Sequence, residues 1–195
     1  MPRRNGYAAT PASDKSGPDH AEVLWKTIGR FDTYAGTTNT KAGVVLTFDS
    51  FAVTALALKA SDIIGQFEKY PIATVWVAGL LALVTISSLL SMAYAFAAIS
   101  PYLRSPKAPG KYHSILFFEH VAEYASDGDY LEALKRHDEE GLLVELSTQA
   151  RAVAIGLRGK FRLLRKSVWV VLVGVLIPMA LIVATRFVVL LFFNS

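Results

Sequence analysis

The chain has no cysteine, which excludes disulfides, thiolate metal sites and thiol nucleophiles and is compatible with a reducing compartment. It also lacks a strong charge excess. Twenty Lys and Arg stand against 16 Asp and Glu, and the net +4 is dispersed, so nothing argues for a nucleic-acid partner. No G-x-S-x-G elbow, Walker A loop, HExxH helix or kinase-like set occurs, and the scattered acids form no assignable pair, so no catalytic residue and no enzyme is expected. His120 with Glu119 and Glu123 offers one imidazole without the further ligands of a zinc motif; no metal or cofactor is expected, and His120 reads as a structural residue against Phe117 and Tyr124. Behind Arg3-Arg4 comes only the polar run NGYAATPASDKSGPDH, so a signal peptide is not expected.

What the sequence does have is apolar residues gathered into three blocks, the signature of an integral membrane protein. Residues 1–20 form a tail expected to be disordered, and 21–41 an amphipathic helix with Val23, Leu24, Ile28, Phe31 and Tyr34 on one face. The first span is 42–58, bracketed by Lys41 and Lys59 and carrying Asp49 near its middle. An ionised carboxylate at mid-bilayer costs roughly 2.5–3.5 kcal/mol on insertion scales. Asp49 is therefore read either as pore lining or as polar glue between helices. The second span, 72–100, is entered through Tyr70-Pro71 and closed by Pro101. The third, 167–186, contains Pro178, expected to kink it, and ends at Arg186, close enough to the far interface to snorkel. A tail, 187–195, follows.

Basic residues set the orientation. The segment before the first span holds six Lys and Arg and residues 101–166 hold eleven, whereas the loop between spans one and two has only Lys69, with Lys59 at its edge. The positive-inside rule places the N-terminus and 101–166 in the cytoplasm and the C-terminus outside.

Within 101–166, three prolines mark 101–110 as a linker, Tyr112–Ala125 reads as a helix, and Asp129 with Glu132 has capping-box spacing ahead of YLEALKRH. Leu143, Leu146, Ala150, Val153, Leu157, Phe161 and Leu164 then recur at threes and fours, with no proline before Pro178. The fold class expected is all-α: three transmembrane helices with a helical cytoplasmic domain whose long helix continues into the third span, its stripe offering a seam for homo-oligomerisation. The basic cluster Arg158, Lys160, Arg162, Arg165 and Lys166 reads mainly as a headgroup belt. Lys160 stands apart from it, lying beside Gly156 and Gly159, where small residues admit a helix or ligand.

Three stretches, FDTYAGTTNTKAGVVLTFDSF (31–51), YHSILFFEHVAEYASDGDYLEAL (112–134) and LLVELSTQARAVAIGLRGKFRLLRKSVWVV (142–171), together resemble the membrane effectors of Pycsar antiphage systems, the PycTM type. Asp32 with Asn39-Thr40-Lys41-Ala42, the run Phe117 to Ala122, and Lys160-Phe161-Arg162 carry the resemblance by their order around the spans. It implies a multi-pass protein of the cell inner membrane that answers cyclic CMP or cyclic UMP, made by a partner pyrimidine cyclase on phage infection, by disrupting the bilayer in an abortive response.

Such a sensor needs a cation for the phosphate, a ring to stack on the base and polar groups for its edge. By chemical type Lys41, Lys160 and Arg162 could serve the first, Phe118 and His120 the second, and Asp32, Asn39 and Gln149 the third. Packing or helix surface is the alternative reading of each. A channel or anchor without nucleotide sensing, and an effector tuned to cyclic oligonucleotides, are the competing functions.

Overall fold

The computed structural model describes residues 19–100 and 114–193 of the 195-residue chain. Most of the tail expected over 1–20, the linker over 101–110 and Tyr112 lie outside the described residues. No strand occurs among those described. Three helical stretches are long and apolar enough to cross a membrane, His20–Gly65, Pro71–Ile99 and Glu139–Phe192.

Helix α1, His20–Gly65, starts where the Asp19 side chain accepts from the Ala21 and Glu22 amides, and it runs unbroken through the position at which the sequence separates an amphipathic helix from a span. Its threonines return their hydroxyls to the carbonyl four residues back, as Thr33 does to Gly29, Thr47 to Gly43 and Thr54 to Ser50. Polar groups satisfied within their own helix can enter an apolar layer at little cost. A short turn with Phe67 buried leads to Pro71, which opens α2, Pro71–Ile99, where its missing amide is not needed. One face of α2 is small: Ser87, Ser88, Ser91, Ala95 and Ala98 are all buried, letting neighbouring helices approach closely.

The segment from Ser114 departs from the helix expected over 112–125. Only Phe118–Val121, α3, is helical there, because the Ser114 hydroxyl accepts from the Leu116 and Phe117 amides while the Ser114 amide donates to His120 Nδ1. Those bonds hold 114–117 as a capping turn. Helix α4, Asp127–Lys135, is capped by Ser126, whose hydroxyl accepts from the Asp129 amide. The capping box thus begins one turn before the Asp129–Glu132 pair that the sequence suggests. Asp138 caps α5, Glu139–Val171. A π-helical turn, Leu172–Leu176, joins it to α6, Ile177–Phe193. The wide turn falls just ahead of Pro178, whose ring and absent amide disturb the bonds of the preceding turn.

Helices α1, α2 and α5 each pack on the other two, and α6 packs on α2. Ala42, Ala95, Ala98 and Leu164 form one cluster of the membrane bundle; Phe67, Val77, Leu81 and Val189 form another towards its opposite end. Beyond the end of α2, the first half of α1 and the first half of α5 continue together, with Ile28 against Leu146 and Ala150. The start of α1 is therefore part of the same body as the domain that precedes the third span.

Two interhelical contacts mark the two ends of the apolar bundle. Lys160 bonds Asn39 and the last carbonyls of α2 at one end, and Arg186 Nη1 donates to the Gln66 carbonyl, 3.3 Å away, at the other. From Asn39 to Gln66, and from Lys160 to Arg186, is about 40 Å at helical rise. That span matches the roughly 40–45 Å of a bilayer with its headgroups.

Candidate functional site

Near the end of α2, a cavity of about 130 Å³ lies between α1, α5 and the capping turn. Ala35 of α1, Phe117 of the capping turn, and Gln149, Val153, Gly156 and Lys160 of α5 are among its lining residues. Its walls are mainly apolar, and among the described residues Lys160 is its one cation.

The surroundings of Lys160 are unusual. Its ammonium donates to Asn39 Oδ1 at 3.1 Å, to the Ala98 carbonyl at 2.9 Å and to the Ile99 carbonyl at 3.1 Å. It thereby fastens α5 to α1 and to the C-terminal end of α2, whose carbonyls have no partner within their own helix and carry the negative end of its dipole. No carboxylate among the described residues pairs with it. Burial pushes its pKa below the ordinary lysine value, because the charged form has given up water and gained only neutral acceptors.

The Phe117 side of the cavity is held by a second buried group. Glu145 of α5 is buried and accepts a hydrogen bond from Ser114 Oγ. Burial raises its carboxyl pKa, against the opposing effect of the Leu116 and Ile115 amides. Tyr130 of α4 donates to the Ile115 carbonyl at 3.1 Å. The capping turn is thus tied to α5 and α4, and Phe117 is held in the cavity wall.

Beneath Lys160, a polar seam runs through the bundle. Ser91 Oγ lies 2.9 Å from Ser167 Oγ, which donates to the Ser91 carbonyl at 3.0 Å, so the two serines staple α2 to α5. Asp49 is completely buried beside Ser91, and among the described residues neither its carboxyl oxygens nor the Ser88 hydroxyl has a hydrogen-bond partner. While the Ser167 proton goes to the Ser91 carbonyl and the Ser91 proton to Ser167, that pair has no proton left for Asp49. One turn deeper, Gly174 presses on Ser87: a Cβ built on Gly174 would lie 2.6 Å from Ser87 Cβ and closer still to its hydroxyl.

Of the residues singled out by chemical type, the fold brings Asn39, Gln149 and Lys160 together at the cavity. His120 stands behind it, its ring edge on Phe117 at 5.4 Å and its Nδ1 accepting from Ser114. Phe118 turns outward, 63 % exposed, leaving Phe117 as the ring in the wall. Asp32 and Lys41 are exposed on α1 and do not line the cavity, and Arg162 belongs to a separate recess with Arg158 and Arg165. Sequence reasoning missed Phe117, Ser114 and Glu145. The signal for Glu145 was an acid within the apolar stripe of α5, between Leu142 and Leu146.

The cavity falls short of the roughly 300–1,000 Å³ usual for small-molecule sites. It has room for a ring or a phosphate, and anything larger must displace Phe117 or Lys160. A family model, that of the Pycsar effector protein domain (PycTM), matches residues 23–188. No curated protein and no solved structure matches the chain.

Proposed function

Because the chain belongs to the Pycsar effector domain family, we propose that it is an antiphage effector that binds a cyclic pyrimidine mononucleotide, cyclic CMP or cyclic UMP, and responds by breaching the inner membrane. The observation that carries this reading is the fastening of three helices by Lys160 at the lining of a mainly apolar cavity. An anionic phosphate entering the cavity is a better partner for the ammonium than an amide oxygen and two carbonyls. Drawing Lys160 to the phosphate releases α1 and α2 from α5. Phe117 supplies a face for the base, and Gln149 and Asn39 supply edge contacts.

The released element is one helical rod that reaches from the cavity through the bilayer. Movement of α5 away from α2 is carried past the Ser91–Ser167 staple, and the π-helical turn above Pro178 is the place where the rod can bend. Parting the helices opens the orphan carboxylate of Asp49 and the Ser88 hydroxyl to water. A dry seam then becomes a hydrated one. The N-terminus and the domain of α3 to α5 lie in the cytoplasm, where the partner cyclase makes the ligand, as the distribution of basic residues argues.

The test is direct binding. The full chain in detergent micelles is titrated with cyclic CMP, cyclic UMP, cyclic AMP and a cyclic dinucleotide by calorimetry. A pyrimidine mononucleotide should bind and the others should not, and binding should vanish in Lys160→Met. Absence of binding by either pyrimidine would overturn the proposal.

A further inference from the structure

The exposed side of α5 at the membrane entrance carries a second recess, of about 440 Å³, lined by Arg158, Phe161, Arg162 and Arg165. We infer that this recess is a binding site for the phosphate of an anionic phospholipid headgroup.

Three observations converge on it. At 100° per residue the three arginines and Phe161 fall on one stripe of α5, opposite the face that buries Gly156, Leu164 and Ser167. Trp169, 60 % exposed, continues the stripe one turn further. All of these side chains point away from α1 and α2. Lys166, by contrast, turns to α2, its ammonium 5.6 Å from the centre of the Tyr94 ring, so the stripe is a selected set within the basic cluster.

None of Arg158, Arg162 and Arg165 makes a hydrogen bond or ion pair among the described residues. Three guanidiniums within two helical turns repel one another. Water and salt screen this over about 10 Å in solution, but less well beside hydrocarbon. An anion in the recess relieves it, and planar guanidinium forks match two phosphate oxygens at once.

Height decides which anion. Lys160, between Arg158 and Arg162 along the helix, bonds the last carbonyls of α2 where that helix leaves the apolar layer. The recess therefore lies at headgroup level, where lipid phosphates are concentrated. Phe161 and Trp169 are placed to meet glycerol and the first acyl carbons, as interfacial aromatics do. A free nucleotide offers the same phosphate chemistry, but it would have to compete at the one height where lipid is always present. The site does not depend on nucleotide sensing.

The test uses the full chain in vesicles of phosphatidylcholine with one-tenth phosphatidylglycerol, brominated on one lipid or the other. Trp25→Phe and Trp76→Phe leave Trp169 as the reporter. Brominated phosphatidylglycerol should quench Trp169 severalfold more than its mole fraction predicts. Replacing all three arginines by serine should return quenching to the statistical value, with affinity falling roughly fivefold per arginine. Replacement by lysine should retain part of the enrichment, and single Arg162→Ser gives an intermediate value if the triple serine variant does not fold. Statistical quenching in the parent chain, or unchanged enrichment in the serine variants, overturns the assignment. So does displacement of the brominated lipid by cyclic CMP, cyclic UMP or inorganic phosphate at the concentration that saturates the nucleotide response.

Discussion

Lys160→Met keeps the length and apolar stem of the side chain and removes only the ammonium. Three bonds disappear, to Asn39, Ala98 and Ile99. Charge-assisted hydrogen bonds are each worth about 1.5–3 kcal/mol, but a half-buried ammonium has also surrendered hydration, so the set holds the closed bundle by roughly 2–4 kcal/mol. At tenfold per 1.4 kcal/mol, its loss shifts the balance towards the parted bundle by roughly 30- to 1,000-fold. Asn39→Ala removes one neutral acceptor of the three, about 1 kcal/mol or fivefold, and leaves the cation available for ligand. Depolarisation is read with a voltage-sensitive dye in cells carrying equal amounts of membrane-inserted protein. Lys160→Met should depolarise without nucleotide and gain nothing from it, whereas Asn39→Ala should respond at lower nucleotide concentration than the parent. A Lys160→Met protein that is silent alone and fully responsive to nucleotide would refute the latch.

Asp49→Leu replaces an unpartnered buried acid by an apolar side chain, so the closed bundle should gain about 1–3 kcal/mol and the nucleotide threshold for depolarisation should rise; wild-type behaviour would show that Asp49 has no part in opening. Gly174→Ala should lower the thermal stability in micelles by about 1–3 kcal/mol, because Ser87 leaves no room for a methyl group. Gly159→Ala, where a Cβ meets nothing within 4 Å, should be neutral or raise it by up to about 1 kcal/mol through helix propensity. For Glu145 the folded carboxyl pKa is raised above the unfolded value, so the folded state binds its proton more tightly. Its contribution to stability is fully present below the unfolded pKa and is lost as pH rises through the raised one. Hydrogen exchange at the Leu116 and Phe117 amides should accelerate over that window, and Glu145→Gln should flatten the dependence.

The apolar blocks were legible because a membrane span is a property of sequence order, needing no knowledge of neighbours. Most of the stripe from Leu143 to Leu164 was legible for a similar reason, with nothing before Pro178 to stop the helix; Phe161 departs from it, exposed on the side of α5 that carries Arg158, Arg162 and Arg165. The region around Ser114 was not. Its apolar residues have helical spacing, and the competing bonds from Ser114 to Leu116, Phe117 and Glu145 depend on a residue about 30 positions away. Spacing pointed to Asp129-x-x-Glu132 as the helix start, but the Ser126 hydroxyl accepts from the Asp129 amide and so starts the helix one turn earlier. Phe117 and Phe118 are adjacent and chemically identical, so only the turn that orients them reveals which ring lines the cavity. Lys160 was visible as a cation beside glycines, but its partners come from two other helices, Asn39 from α1 and the Ala98 and Ile99 carbonyls from α2. Asp49 stood out as an acid in a span, while the serines around it gained meaning only once α2 and α5 were seen side by side.

The most direct test is nucleotide-triggered permeability in a system that contains nothing else. The purified full chain is reconstituted into vesicles loaded with a self-quenching dye and held under an ion gradient, and cyclic CMP, cyclic UMP, cyclic AMP and a cyclic dinucleotide are supplied in turn to both faces. Dye release or collapse of the gradient with a cyclic pyrimidine mononucleotide, and intact vesicles with the others, is the result predicted here. Vesicles that stay sealed with every nucleotide, or that leak equally with all of them and with none, would contradict it.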